Sequence, residues 1–392
     1  MTGGAIQKRW LSGASFAGMF LFGVVMAVLG AALPLLAGSL RFDLAQAGNL
    51  FLGMNFAMLT CMLALGPLMD RFGIKLGLAA GALLTAAALA RIATAGDYGG
   101  VLTGVVLLGL GGGALNGSTN TLVADLHEDP REKSSALNIL GIFFGFGALF
   151  IPFFIGSLVE ALGLARILFI AAGLSLALAA VVFSLGFPAA KAAQSLQLAE
   201  AARLARDPLV LLLGFLLFFQ SGNEFTAGGY ISTFLARELG SSIPAASYLL
   251  AAYWGAIMAA RIVLSRLVLK MKGSTVVLAC AALAAAGSAL LVASESLAAA
   301  AIAVVLIGLG FSGVYPVTFA FAGTRFAERS GTAFGILFAI ALVGGMAAPW
   351  AAGQISAGYG LRRGLVILIA NAAMIFLLQL LVLRADRRRP VG

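Results

Sequence analysis

The chain of 392 residues is too apolar for a water-soluble protein, with 61% hydrophobic and 10% charged residues. Soluble proteins carry roughly a quarter charged residues, and the mean hydropathy here is +1.06. Composition therefore excludes a soluble globular domain and predicts an all-α, polytopic membrane protein.

Apolar stretches long enough to cross a bilayer, at about 20 residues each, recur along the whole chain. We number them spans 1 to 12 in chain order. The first has the length of a span, so we interpret it as a membrane helix and not as a cleavable signal peptide. The predicted spans are 11–36, 45–67, 76–96, 98–122, 135–159, 165–186, 209–235, 245–268, 274–294, 298–322, 331–357 and 363–384.

The net charge of +10 follows the predicted topology and does not indicate a nucleic-acid partner. If the N-terminus is cytoplasmic, eighteen Lys and Arg residues fall in inner loops and tails and six on the outer side. This is the positive-inside asymmetry. We therefore expect a multi-pass protein of a bacterial inner membrane with both termini in the cytoplasm. Its basic loops should be weakly attracted to anionic membrane lipids.

The two halves of the chain repeat one another. Span 5 aligns with span 11 at an offset of 197 residues, which places Pro152 on Pro349. Transporters are often built from two such halves around a substrate site. We expect two six-helix bundles, 1–187 and 208–392, that rock against each other, and a cytoplasmic linker, 188–207, that contains an amphipathic helix.

The most specific motif lies in the loop after span 2, where GPLMDRFGIK matches the pattern G-x-x-x-D-R-x-G-x-K. Its glycines permit close approach of the backbone, and its charges could hold two helix bundles together in one state and release them in another. The second half keeps a partial copy, with Ser265, Arg266 and Lys270 at the positions of the acid and the two bases. An ordinary tight loop is the alternative. The predicted gating clasp comprises Gly66, Asp70, Arg71, Gly73, Lys75 and Arg266.

Glu224 is the clearest ionisable residue inside a predicted span. Charged side chains in hydrocarbon are costly and therefore indicate a functional site. We predict that this carboxylate, on the same face of span 7 as Gln220, takes up and releases a proton in each cycle. Hydrogen bonding to substrate hydroxyls and a structural bond to a neighbouring helix remain alternatives. Arg261 in span 8 is expected on the order of 10 Å nearer the cytoplasm, which disfavours direct pairing with Glu224. We expect Arg261 to snorkel or to belong to the partial second clasp, with a substrate role as the alternative.

Polar and aromatic residues at mid-membrane depth form the predicted substrate site. Amides hydrogen-bond to hydroxyl groups, and aromatic rings stack on the apolar face of a sugar. For any one of these residues a structural contact between helices is the alternative. The predicted substrate-binding residues are Gln220, Asn223, Glu224, Asn116, Asn120, Asn55, Tyr253, Tyr315, Trp350 and Gln354.

The spans, the repeat and the loop motif together resemble the major facilitator superfamily. Within it, 113–122, 144–152 and 224–234 look like segments of the fucose–galactose–glucose:proton symporter group. The resemblance implies a monomeric secondary transporter that moves a small molecule, a sugar, with protons, or with sodium as the alternative ion. That group is expected to use acids in spans 1 and 4, but span 1 here has no charge and span 4 offers amides. Coupling would then depend on Glu224 or be absent.

The second hypothesis is a proton-coupled exporter of drugs, amphipathic compounds or lipids, which an apolar span 1 and the many Phe and Met residues favour. Against it, Ile151 replaces the second glycine of the G-x-x-x-G-P motif usual in drug:proton antiporters. A membrane enzyme or a receptor is the third class. The sequence contains no nucleotide-binding loop, metal-ligand cluster or nucleophile–base pair, so no enzyme and no cofactor are predicted.

Overall fold

The computed structural model describes residues 3–127, 129–188, 202–267 and 271–387, and this part of the chain contains helices and no strand. The first half is made of long helices. They are Gly3–Leu40 for span 1, Leu44–Phe72 for span 2, Ile74–Ala93 for span 3, Tyr98–Leu126 for span 4, and Pro130–Ser184 for spans 5 and 6 together.

The second half repeats this organisation, but its last helices are interrupted. Spans 7 to 9 are Pro208–Glu238, Ile243–Leu267 and Gly273–Ala293. Span 10 consists of Leu297–Phe311 and Val314–Arg325, and the 3-10 turn Ala327–Arg329 follows it. Span 11 is Ser330–Tyr359, and span 12 consists of Leu361–Gly364 and Val366–Arg387.

With the two parts of span 10 taken together as Leu297–Arg325, eleven of the described helices are long and apolar enough to cross a membrane. The helix Pro130–Ser184 has 55 residues, or about 80 Å, whereas the hydrocarbon core is about 30 Å thick. Inside it, Gly163 has φ 74° and ψ 158°, which is not helical, so the stretch is two spans joined at a sharp kink. The predicted all-α fold of twelve spans is confirmed.

Two equivalent glycines allow close helix packing in the two halves. A Cβ atom at Gly147 in span 5 would collide with the backbone carbonyl of Phe20 in span 1. Its repeat partner Gly344 in span 11 makes the same contact with the carbonyl of Phe218 in span 7. The offset of 197 residues found in the sequence therefore corresponds to equivalent packing.

The chain forms two compact units. The first contains Met1–Phe42, Gly53–Ser195 and Ile243–Ala251, and the second contains the rest. Each unit thus includes the start of one span from the other half of the sequence, namely span 8 in the first unit and span 2 in the second. The predicted amphipathic helix of the linker lies mostly outside the described residues.

The exchanged segments pack against a second pair of repeat glycines. Within the second unit, a Cβ atom at Gly353 would lie 2.5 Å from the carbonyl oxygen of Leu44 and 2.8 Å from Cα of Gly48. Within the first unit, a Cβ atom at Gly156 would lie 3.2 Å from the ring of Tyr248. Because 156 and 353 differ by the repeat offset, both units accept the exchanged segment at the equivalent position.

Candidate functional site

Span 7 runs through the interior of the second unit and carries its polar residues into that interior. It packs mainly against span 11 and also against span 12. Its start is fixed by Pro208 in the first turn and by Asp207, whose carboxylate accepts a hydrogen bond from the backbone N–H of Leu209 at 2.7 Å. Gln220 and Asn223 are fully buried.

Glu224 is half-buried and belongs to a hydrogen-bonded group. Nε2 of Gln220 donates to Oε1 of Glu224 at 2.8 Å and to the backbone carbonyl of Phe311 at 3.1 Å. The hydroxyl of Tyr253 donates to the backbone carbonyl of Glu224 at 3.4 Å. Three of the predicted substrate-binding residues, from spans 7 and 8, therefore lie together beside span 10.

The interruption of span 10 supplies backbone acceptors to this group. In a continuous helix the carbonyl of Ser312 would accept from the residue four positions later, but that residue is Pro316, which has no N–H. The carbonyl instead accepts from Nε of Arg261 at 3.4 Å. The next bond of the helix, from Val317 to Gly313, is present at 3.2 Å. Ser312 and Gly313 keep helical backbone angles, so span 10 is a helix that loses one hydrogen bond at Pro316 and leaves a backbone carbonyl available inside the unit.

Arg261 and Tyr315 complete the group. The guanidinium of Arg261 makes no ion pair within 4.0 Å with any acid among the described residues, but its charge interacts with that of Glu224. The half-buried side chain of Tyr315 interacts with the hydroxyl of Ser221 and lies within electrostatic range of both charges. The sequence analysis did not include Arg261 among the predicted substrate-binding residues, because the depth of its Cα atom disfavours contact with Glu224. We call Gln220, Ser221, Glu224, Tyr253, Arg261 and Tyr315 the Glu224 cluster.

Several buried polar atoms in and near the Glu224 cluster have no hydrogen-bond partner among the described residues. They are Oε1 of Gln220, both side-chain polar atoms of Asn223 and Oγ1 of Thr226. Leaving such an atom unpaired costs about 1–3 kcal/mol, so each one needs a partner from water or ligand. The cluster therefore offers unused hydrogen-bonding capacity to a polar solute.

The predicted amides of the first unit form a separate pair. Nδ2 of Asn120 donates to the backbone carbonyl and to Oδ1 of Asn116, both at 2.9 Å. Both residues are half-buried, whereas Asn55 is fully buried in span 2. The pair is thus open to a ligand, and Asn55 faces the packed interior of its unit.

Trp350 and Gln354 belong to another group within the second unit. Nε1 of Trp350 donates to Oδ1 of Asn49 at 3.1 Å, and Nε2 of Gln354 donates to the same oxygen and to the carbonyl of Ala45, both at 3.4 Å. The nearby Pro349 accepts from Tyr230, which is six residues, or about 9 Å, beyond Glu224 along span 7. Trp350 and Gln354 therefore form no hydrogen bond with the Glu224 cluster. Asn49, the residue that joins them, was not among the residues predicted from the sequence.

Lys75 and Gly73 of the predicted gating clasp have clear structural roles. Gly73 joins spans 2 and 3 with φ 84° and ψ 159°, a conformation open essentially only to glycine. Nζ of Lys75 donates to the carbonyls of Phe183 and Leu185 at 2.9 Å each. A cation at the carbonyl end of a helix is favourable, so Lys75 ties the start of span 3 to the end of span 6.

The other residues of the predicted clasp make fewer contacts. The structure shows no hydrogen bond or ion pair for Asp70 with any described residue, and the guanidinium of Arg71 lies 5.0 Å from the ring of Phe72. The close backbone approach expected at Gly66 and Gly73 is not present, because no described atom of another segment lies within 4 Å of a Cβ placed at either position. Arg266 is exposed, and Lys270 lies outside the described residues.

A cavity of about 370 Å³ lies inside the second unit, towards the start of span 7. Leu213, Val277, Phe321 and Val382 give it largely apolar walls, and Asp386 is among its polar lining residues. It includes none of the predicted substrate-binding residues. Within the described ranges, no group of three or more His, Cys, Asp or Glu residues could hold a metal ion.

A membrane fold of twelve spans, with polar and charged groups gathered beside span 10, is typical of solute transporters. The chain belongs to the major facilitator superfamily, because residues 15–222 and 213–392 match the family described as Major Facilitator Superfamily. The resemblance to the superfamily is thereby confirmed. Members of this family are transporters and not enzymes, so the protein is a multi-pass membrane transporter that binds small molecules.

Solved structures agree on the fold. A variant of the nucleoside transporter NupG is 16% identical, with a TM-score of 0.78 over 97% of this chain and 100% of that chain. A bacterial homologue of the human lysosomal transporter Spinster, in an inward-facing and occupied conformation, is 13% identical, with a TM-score of 0.78 over 98% of each chain. At such low identity the likeness shows the fold alone. No match was found among curated proteins.

Proposed function

We propose that the protein is a secondary active transporter that moves a small polar solute of sugar size together with a proton, by alternating access. Glu224 is the group that carries the proton. The observation that supports this most directly is a half-buried carboxylate within a membrane span, bonded to the fully buried amide of Gln220 at 2.8 Å.

Proton coupling at Glu224 follows from the cost of charge in the membrane. An ionised carboxylate is expensive in hydrocarbon unless a cation or a proton neutralises it. Arg261 lies within electrostatic range but forms no ion pair with it, so the proton is the group that neutralises Glu224 when the site closes to water. Alternating access exposes the site to each aqueous phase in turn, and this allows one proton to be taken up and released per cycle.

A polar solute is supported by the hydrogen-bonding groups that remain free. In the second unit, Gln220 and Asn223 keep unpartnered buried atoms, and Tyr253 and Tyr315 supply aromatic rings. The first unit has its own amide pair, Asn116 and Asn120. Amides and aromatic rings together suit a polyhydroxyl compound.

The remaining functional assignments are part of the same proposal. The protein lies in a bacterial inner membrane with both termini in the cytoplasm. It acts as a monomer, and sodium is the alternative coupling ion. Asp70, Arg71 and Lys75 act as part of a cytoplasmic clasp that changes partners between states.

A second function, export of amphipathic compounds or lipids, is favoured by one observation. The cavity of about 370 Å³ has largely apolar walls and an acid, Asp386, among its lining residues. Such a site suits a lipophilic cation. If expression of the protein protects cells from lipophilic cations, this second function is supported over the first.

The test of the proposed function is uptake into proteoliposomes. Labelled hexoses, hexonates and nucleosides are offered with and without an inside-alkaline pH gradient, and a proton ionophore serves as the control for the gradient. We expect at least one solute to accumulate only when the gradient is present. Uptake of none of them, or uptake that ignores the gradient, would contradict proton-coupled transport.

A further inference from the structure

We propose that the solute carried at the Glu224 cluster is an organic monoanion, a hydroxylated carboxylate, whose acidic group binds the guanidinium of Arg261. This inference rests on the proposed function and makes it more specific. It replaces a neutral sugar by the corresponding sugar acid.

Arg261 has hydrogen-bonding capacity that the described residues do not use. Its hydrogen bond in the structure runs from Nε to the carbonyl of Ser312 at 3.4 Å. The two terminal nitrogens, Nη1 and Nη2, have no hydrogen-bond partner among the described residues, and no described acid lies within 4.0 Å. These two nitrogens form a planar fork that matches the two oxygens of a carboxylate. A membrane-embedded arginine with a free fork is costly unless an anion occupies it for part of the cycle.

The net charge of the Glu224 cluster changes when Glu224 is protonated. Glu224 and Arg261 are its two charged side chains, since Gln220 and Ser221 from span 7, Tyr253 from span 8 and Tyr315 from span 10 are neutral. With Glu224 protonated the cluster has a net charge of +1 and attracts an anion. With Glu224 ionised the net charge is zero, and the carboxylate competes with the solute for Arg261. Proton binding and anion binding therefore favour each other.

Polar groups of the Glu224 cluster lie near Arg261. Oε1 of Gln220 is fully buried and has no partner among the described residues, and the hydroxyls of Ser221 and Tyr315 lie in the same cluster. These groups can bond the hydroxyls of a solute whose carboxylate is held by Arg261. A simple fatty acid would leave them unsatisfied, which is why the solute is expected to be hydroxylated.

The stoichiometry makes the inference testable. One proton and one monoanion together carry no net charge across the membrane, whereas one proton with a neutral sugar carries one positive charge. Transport of the monoanion should therefore respond to a pH gradient and not to membrane potential. Transport of a neutral sugar should respond to both.

The test uses labelled gluconate and glucose as matched probes in proteoliposomes. We expect inside-alkaline gradients to drive gluconate uptake at least tenfold faster than glucose uptake, and an inside-negative potential set with potassium and valinomycin to leave the gluconate rate unchanged. Arg261→Gln should lower gluconate uptake at least tenfold. Arg237→Gln, which changes an exposed arginine at the end of span 7, should leave it unchanged.

A binding measurement separates loss of the site from loss of the fold. Gluconate should raise the thermal unfolding temperature of the purified protein more at pH 5.5 than at pH 8, and it should not do so for Arg261→Gln. Preference for glucose over gluconate, a gluconate rate that rises with inside-negative potential, or unchanged gluconate uptake in Arg261→Gln would overturn the inference. Glucose uptake driven by the pH gradient at a rate equal to or above that of gluconate would overturn it while leaving the proposed function intact, whereas uptake of both solutes that ignores the gradient would count against both.

Discussion

Two glycines of the loop after span 2 have different physical requirements. Gly73 needs a backbone conformation that side-chain-bearing residues adopt only with strain, whereas Gly66 lies inside the helix Leu44–Phe72 with open space around it. The pattern in the sequence treats them alike. In the structure, only Gly73 is needed for the turn itself.

We predict that Gly73→Ala destabilises the protein by about 1–3 kcal/mol, because alanine is strained at φ 84°. The measurement is the thermal unfolding of the purified protein in detergent. Gly66→Ala is the matched control and should cause no loss of stability, since a Cβ there meets no atom within 4 Å. Equal destabilisation by both substitutions would contradict this account of the loop.

Arg261 shows where residue-level prediction from the sequence stops. Its Cα depth along span 8 was predicted, but its interaction with Glu224 was not, because an arginine side chain can reach across several residues of helix length. The free carbonyl of Ser312 also determines where the guanidinium lies. By contrast, the pairing of Gln220 with Glu224 could be predicted, since it depends only on helical spacing.

At the scale of single elements, the sequence predicts helices better than their ends or interruptions. The predicted span 4, 98–122, begins where the helix Tyr98–Leu126 begins, whereas span 1, 11–36, is the middle of Gly3–Leu40. Apolarity stops at the edge of the hydrocarbon, but the helical backbone continues into water. The interruption of span 10 was missed, because the apolar run continues through it.

The interruption of span 10 leads to a prediction about Pro316. Pro316→Ala supplies an N–H that can bond to the carbonyl of Ser312 and thus compete with Arg261 for it. We expect solute uptake to fall at least several-fold while the unfolding temperature is kept or raised. The control is Pro208→Ala, because proline in the first turn of span 7 removes no helical hydrogen bond.

The measurements for Pro316 are initial uptake rates and thermal unfolding on the same preparations. Unchanged uptake in Pro316→Ala would contradict the role given to the free carbonyl of Ser312. A fall in uptake together with a large loss of stability would instead show that the proline serves folding.

At the scale of the whole molecule, the repeat is the strongest prediction from the sequence. The offset of 197 residues correctly paired Gly147 with Gly344 and Gly156 with Gly353, which make equivalent contacts. The exchange of Asp43–Leu52 and Ile243–Ala251 between the compact units was not predicted. Such an exchange depends on packing between helices far apart in sequence, and no local pattern encodes it.

The orientation of the whole chain can be tested by cysteine labelling. In a variant without Cys61 and Cys280, a cysteine at Lys272, between spans 8 and 9, should react with an impermeant maleimide only after cells are permeabilised. A cysteine at Ala95, between spans 3 and 4, should react in intact cells. Labelling of the first position in intact cells would contradict cytoplasmic termini.

The central claim is that Glu224 carries the proton that drives uptake. Its most direct test is Glu224→Gln in proteoliposomes, with a solute that the wild-type protein accumulates in the uptake test. Glutamine resembles the protonated acid but cannot release a proton. We predict that exchange of labelled for unlabelled solute persists while accumulation driven by the pH gradient is abolished. Glu238→Gln, at the end of the same helix and paired with Arg362 at 3.3 Å, should accumulate solute normally. Accumulation by Glu224→Gln at the wild-type level would contradict the account.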